Sequence, residues 1–107
     1  MGWVYLLLEV DKYGEEYFKI GVSKNDPNLR IKNLKTGNPN KIEVLKIYNS
    51  KNYLKIEKML HNQYMVKTEA NNEWRNLTND EVFSFLDECK KFDEIIKYML
   101  ENNPFYN

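Results

Sequence analysis

The stretch WVYLLLEV-DKYGEE-YFKIGVS, residues 3–23, decides the fold. Residues 3–10 are β-branched, aromatic or leucine, with no charged side chain before Glu9. A continuous apolar run of this length, closed by a charged turn, reads as a buried strand. Residues 11–16 supply that turn, with Gly14 free to take a positive φ. Residues 17–23 resume the apolar pattern, so the whole stretch reads as a β-hairpin. Gly21 within the second strand marks a bulge or a close backbone approach.

Working outward, Asp26-Pro27 is a helix start, with the aspartate as cap and proline in the first turn. Ile31 and Leu34 share a face of that helix, and Arg30 and Leu34 are i, i+4 neighbours. TGNP at 36–39 ends it with Gly and Pro. Residues 41–48 (KIEVLKIY) alternate as a third strand with Ile42, Val44 and Ile47 inward. Ser50 caps a long helix to Met65, with Tyr53, Ile56, Leu60 and Tyr64 on one stripe. A polar loop at 68–72 precedes EWRNL (73–77), a short extended segment. Thr78 and Glu81 form a capping box. Val82, Phe83, Phe85, Leu86 and Cys89 give the helix that follows an apolar face. A last helix carries Ile95, Ile96, Met99 and Leu100, and Pro104 stops it. The expected class is α+β: a small, mainly antiparallel three-stranded sheet flanked by helices, in the order ββαβααα. One domain is expected over 1–107, with a core at 3–77 and a helical extension at 78–103.

The 107 residues fit one domain with one hydrophobic core. Eight Tyr, five Phe and two Trp can fill that core, which argues against a disordered chain. The single cysteine, Cys89, excludes an internal disulfide and a cysteine zinc site. No apolar run approaches the ~18 residues of a membrane span, and the apolar start lacks the basic flank of a signal peptide. An intracellular protein is expected. Net charge is zero, but its distribution is lopsided. Residues 17–67 hold 11 Lys/Arg against three acids, a balance of +8, while residues 68–107 hold four against nine, a balance of −5. Such asymmetry is a signature of a polyanion-binding face, and equally of lysines that solvate helix and strand surfaces.

The motifs that carry chemistry come in a fixed order. VYLL is followed by FKIGVS, by Arg30 nine residues after Gly21, and by TGNP. A strand then leads to a helix bearing ExxLH (57–61), and NEW follows at 72–74. This order and spacing resemble the GIY-YIG nuclease superfamily, in its phage and viral branch of small DNA-binding domains, over residues 3–77. Trp3-Val4-Tyr5 stands where that family has Gly-Ile-Tyr, and Lys19-Ile20-Gly21 where it has Tyr-Ile-Gly, with lysine replacing the second tyrosine. The resemblance implies a catalytic set of Tyr5, Lys19, Arg30, Glu57 and His61, with Glu57 holding one Mg²⁺ or Mn²⁺. It implies DNA as partner, contacted by Lys24, Arg30, Lys32 and Lys35. Asn72 and Asn76 both stand near the family's late asparagine.

These residue types suit phosphodiester chemistry, which needs an activated water and neutralised phosphoryl oxygens. A guanidinium such as Arg30 grips phosphate bidentately, and Lys19 adds a compact second charge. Tyr5 serves as a base only where cations favour its phenolate. Glu57 and His61 are i, i+4 neighbours, and His61 is the one imidazole in the chain. Each also has a plainer reading. Tyr5 fits a core position on a buried strand, Lys19 and Arg30 fit solvent, and Glu57 fits a helix-surface pair with Lys58 or His61. Two functions therefore compete. One is a metal-dependent DNA phosphodiesterase. The other is a module of the same fold that binds DNA or a small nucleotide with little or no cleavage. An interaction role for the acidic C-terminal helices is a third.

Overall fold

A computed structural model describes residues 1–64, 74–75 and 77–102, with the side chains at 34, 74 and 75 excepted. Its elements are β1 (Gly2–Val10), β2 (Glu16–Ser23), α1 (Pro27–Lys35), β3 (Lys41–Ser50), α2 (Tyr53–Gln63), β4 (Trp74–Arg75) and α3 (Asn79–Asn102). The strands form one antiparallel sheet in the order β3-β1-β2-β4. The expected α+β class and the three-stranded antiparallel arrangement of β2, β1 and β3 are both present. The short extended segment at 74–75 adds a fourth strand beside Phe18 and Lys19. The second helix ends at Gln63, short of the expected Met65; the 68–72 loop, Asn72, Asn76 and the Pro104 stop lie outside the described residues.

The reason β1 is apolar on both faces lies in its central place. Val4 and Leu6 point into the larger core with Phe18, Ile20, Ile56, Leu60, Phe85, Cys89, Phe92 and Ile96. Tyr5 and Leu7 point the other way, against Ile31 and Ile42. Helices α2 and α3 thus cover one face and α1 the other. Each fully buried Leu, Ile or Phe in these layers contributes roughly 1.5–3 kcal/mol before entropy is charged against it. The hairpin turn is held by Asp11, whose Oδ1 accepts from the Tyr13 and Glu15 amides at 2.9 and 3.0 Å. Gly14 there has φ 79°, the left-handed region that glycine enters without strain.

Strand β3 carries a β-bulge. Leu6 faces Lys46 and Leu7 faces Val44, so Leu45 has no partner of its own. The bulge explains why Ile42, Val44 and Ile47, unevenly spaced in sequence, share the Tyr5 face of the sheet. It also turns Tyr48, opposite Val4, toward α3.

Two expectations are corrected. Ser50 is the last residue of β3 rather than a helix cap, and its Oγ accepts from the Asn52 amide at 2.9 Å. Asn52 is the residue that precedes α2. The two helices expected after Thr78 are one helix of 24 residues. No Gly or Pro interrupts it, and its buried Phe85, Cys89, Phe92 and Ile96 keep one seven-residue periodicity throughout. The Thr78–Glu81 capping box forms as expected, with reciprocal bonds of 2.9 and 3.2 Å.

Candidate functional site

The site begins at the β1–β2 hairpin. Tyr5 pairs with Gly21 and Leu7 with Lys19, so Tyr5 and Lys19 emerge on the α1 face of the sheet. Tyr5 is only 1% exposed, packed with Leu7 and Ile31. A Cβ at position 21 would lie 2.6 Å from the Tyr5 hydroxyl oxygen and 2.7 Å from Cζ, closer than such atoms ever approach. Gly21 is therefore the close backbone approach its place in a strand announces: the missing side chain is the space the phenol ring fills.

Arg30 stands exposed on α1, one residue before the buried Ile31. It lines a cleft of about 530 Å³ together with Ser23, Lys24, Asn25, Asp26 and Asn33. The turn beneath the cleft is held at two points. Ser23 Oγ donates to the Asn25 carbonyl at 2.7 Å, and Asp26 Oδ1 accepts from the Asn28 amide at 3.0 Å. Tyr5, Lys19 and Glu57 are not among the walls of this cleft. Lys32 and Lys35 lie exposed in the last turn of α1. There they also complement the negative end of the helix dipole.

The far end of α1 is anchored by residues that sequence reasoning passed over. Asn38 and Asn40 donate through their side-chain amides to the two oxygens of Glu9, each at 3.2 Å. Gly37 takes φ 75° to bring them there. Glu9 thus clamps the TGNP loop to the end of β1 and fixes where α1 crosses the sheet. The one signal was a lone acid within an otherwise apolar strand.

Glu57 and His61 project from α2. His61 Nε2 lies 3.9 Å from Glu57 Oε2, and both side chains are about a quarter exposed, 22% and 23%. Their helix packs through Ile56 and Leu60 on the face opposite Tyr5. The structure therefore draws the candidate residues from both sides of the sheet: Tyr5, Lys19 and Arg30 from the α1 side, Glu57 and His61 from the α2 side. Both α1 and α2 contact β2, which makes that strand the element between them. Beyond Lys19 its outer edge carries no strand among the described residues. No group of three or more His, Cys, Asp or Glu side chains is placed to hold a metal ion among the described residues.

A second polar constellation lies at the end of β3. Asp93 of α3 accepts from the Tyr48 hydroxyl at 2.8 Å and from the Asn52 side-chain amide at 2.9 Å. Burial alone would raise the Asp93 carboxyl, but bonds from Asn52, Tyr48 and Ser50, with Lys51 nearby, outweigh it and hold the group below its usual range. Tyr48 moves the other way, pushed up to about 12 by burial and by the hydrogen bond to Asp93. The pair is thus a neutral phenol donating to a carboxylate, which ties α3 to the sheet. Nothing in the local sequence marks Asp93, because its partners lie more than 40 residues away.

No helix among the described residues is long and apolar enough to cross a membrane. No curated protein and no solved structure matches the chain significantly. A family model does, and over nearly the whole length: it aligns with residues 2–99, from the first residue of β1 almost to the end of α3. By that match the chain belongs to the T5orf172 domain family.

Proposed function

We propose that this protein is a metal-dependent DNA phosphodiesterase of the GIY-YIG type. The observation that carries the reading is the Arg30 cleft. A guanidinium and the Lys24 ammonium border one concavity beside the open end of β2, next to the strand position where Gly21 locks Tyr5. Membership of the T5orf172 family and the motif order described above support it.

In this reading Arg30 grips two non-bridging oxygens of a backbone phosphate, and Lys24 adds charge at the mouth of the cleft. Lys19 raises the positive potential on the Tyr5 face. Tyr5, held in one orientation by Gly21, is the phenol this reading assigns to the attacking water, on the face of the sheet opposite Glu57. Glu57 is the carboxylate that would hold Mg²⁺ or Mn²⁺. One partly exposed carboxylate suits a hard cation whose other positions go to water and phosphate oxygens. Bound there, the ion would supply charge neutralisation and an acidified water. His61, within reach of Glu57, is placed to protonate a leaving oxygen.

The test is incubation of supercoiled plasmid with the protein and either metal ion. Nicking by the wild type and none by Glu57→Ala is the expected outcome, and equal nicking by both sinks the site. A second reading, a module that binds DNA or a small nucleotide without cleaving it, is favoured by the near-complete burial of Tyr5 and by lysine at position 19. Salt-dependent binding with no nicking under either ion would select it.

A further inference from the structure

Helix α3 has a second organised face that the core does not use. Phe83, Asp87, Lys90, Glu94, Lys97 and Glu101 recur at alternating spacings of four and three, so they form one stripe along the helix. All six are exposed. The charges alternate in sign one by one from Asp87 to Glu101. Pairs within the helix would account for the charges alone. They do not account for two aromatic side chains on the same side, Phe83 at 75% and Tyr98 at 68% exposure, with Leu86 beside them at 38%. The stripe also borders a groove of about 570 Å³, whose opposite wall is Met1 and the end of β3.

We infer that this face docks a second copy of the chain, α3 against α3 in antiparallel orientation about a two-fold axis. The charge order is complementary to itself in that orientation. With the axis at the level of Phe92, Asp87 faces the partner's Lys97 and Lys90 faces the partner's Glu94. Symmetry repeats each contact, which gives four ion pairs from one stripe. Sliding the pairing by one turn sets Asp87 against the partner's Glu94, or Glu94 against its own copy. Parallel pairing sets like against like throughout. The charges therefore select the antiparallel orientation and oppose a one-turn slip, a use of repulsion as much as of attraction. A helix of 24 residues is about 36 Å long, so the contact is small as specific interfaces go. Exposed ion pairs of this kind weaken as salt rises.

Sedimentation equilibrium of the full chain tests this. At low salt the apparent mass should rise toward twice the monomer as concentration increases, and fall back to the monomer at high salt. Two variants sharpen the test: an acidic-face form, Lys90→Glu with Lys97→Glu, and a basic-face form, Asp87→Lys with Glu94→Lys. All four positions are exposed on the helix surface, and circular dichroism checks that each form is folded. Each form alone should stay monomeric, and their equimolar mixture should regain a dimer of one of each. A wild type that stays monomeric at low salt at every concentration overturns the inference. So do variants that self-associate like the wild type, or a mixture that does not associate.

Discussion

The phenol ring of Tyr5 occupies the space that a side chain at Gly21 would need, with the hydroxyl oxygen 2.6 Å from where that Cβ would stand. Gly21→Ala should therefore displace the ring and cost roughly 1–3 kcal/mol, as overpacking of a filled interior does. Thermal melting measures it. Adding Tyr5→Phe should recover only part of the loss, because Cζ remains 2.7 Å away after the hydroxyl is gone. Full recovery would place the strain in the hydroxyl alone.

If the protein nicks DNA, Glu57→Ala and Arg30→Ala should separate binding from chemistry. Glu57→Ala should abolish nicking and leave duplex affinity nearly intact, since a cation contributes more to the chemical step than to docking. Arg30→Ala should weaken both, because a guanidinium holds phosphate in the ground state and in the transition state alike. Parallel nicking rates and filter-binding affinities show whether the two variants differ in this way.

Duplex binding should weaken with salt, adding about −0.9 to the log–log slope for each phosphate neutralised. Lys24→Gln and Lys35→Gln should each make the slope shallower by about 1 and lower affinity without regard to sequence, as phosphate contacts do. A slope that neither change alters would remove α1 and its flanking turn from the interface.

The Asp93 latch gives stability a defined acid dependence. Its carboxyl sits below the usual range when folded, so its contribution is fully present above the unfolded value near ~4. That contribution is lost as pH falls through the lower, folded value. Asp93→Ala, which deprives Tyr48 and Asn52 of their acceptor, should cost roughly 1–3 kcal/mol at neutral pH. Denaturant titrations at neutral pH and near pH ~3 should show the gap between variant and wild type narrowing on the acid side. A gap that widens in acid would contradict the assignment.

Cys89 should be inert in the native protein. It is fully buried in the core, and burial, then the nearby Glu88 carboxylate, pushes its thiol up to about 12. The thiolate is the reactive form, so alkylating reagents should modify it at the rate of opening or unfolding. Rapid labelling under native conditions would show that α3 is detached from the sheet.

Local chemistry alone determined the hairpin turn, the third strand, the Asp26 cap and the Thr78–Glu81 box. Each depends on residues a few positions apart, whose spacing is visible along the chain. Two helices were expected after Thr78, although the apolar positions of α3 keep one period and no breaker intervenes. Only the folded chain decided the rest. The bulge at Leu45 depends on register with β1, and the Glu9 and Asp93 clamps join side chains some 30 to 45 positions apart. The placement of Tyr5 and Arg30 on one side of the sheet and Glu57 on the other was likewise a tertiary outcome. A strand points successive side chains to opposite faces, but which helix covers which face is settled by packing.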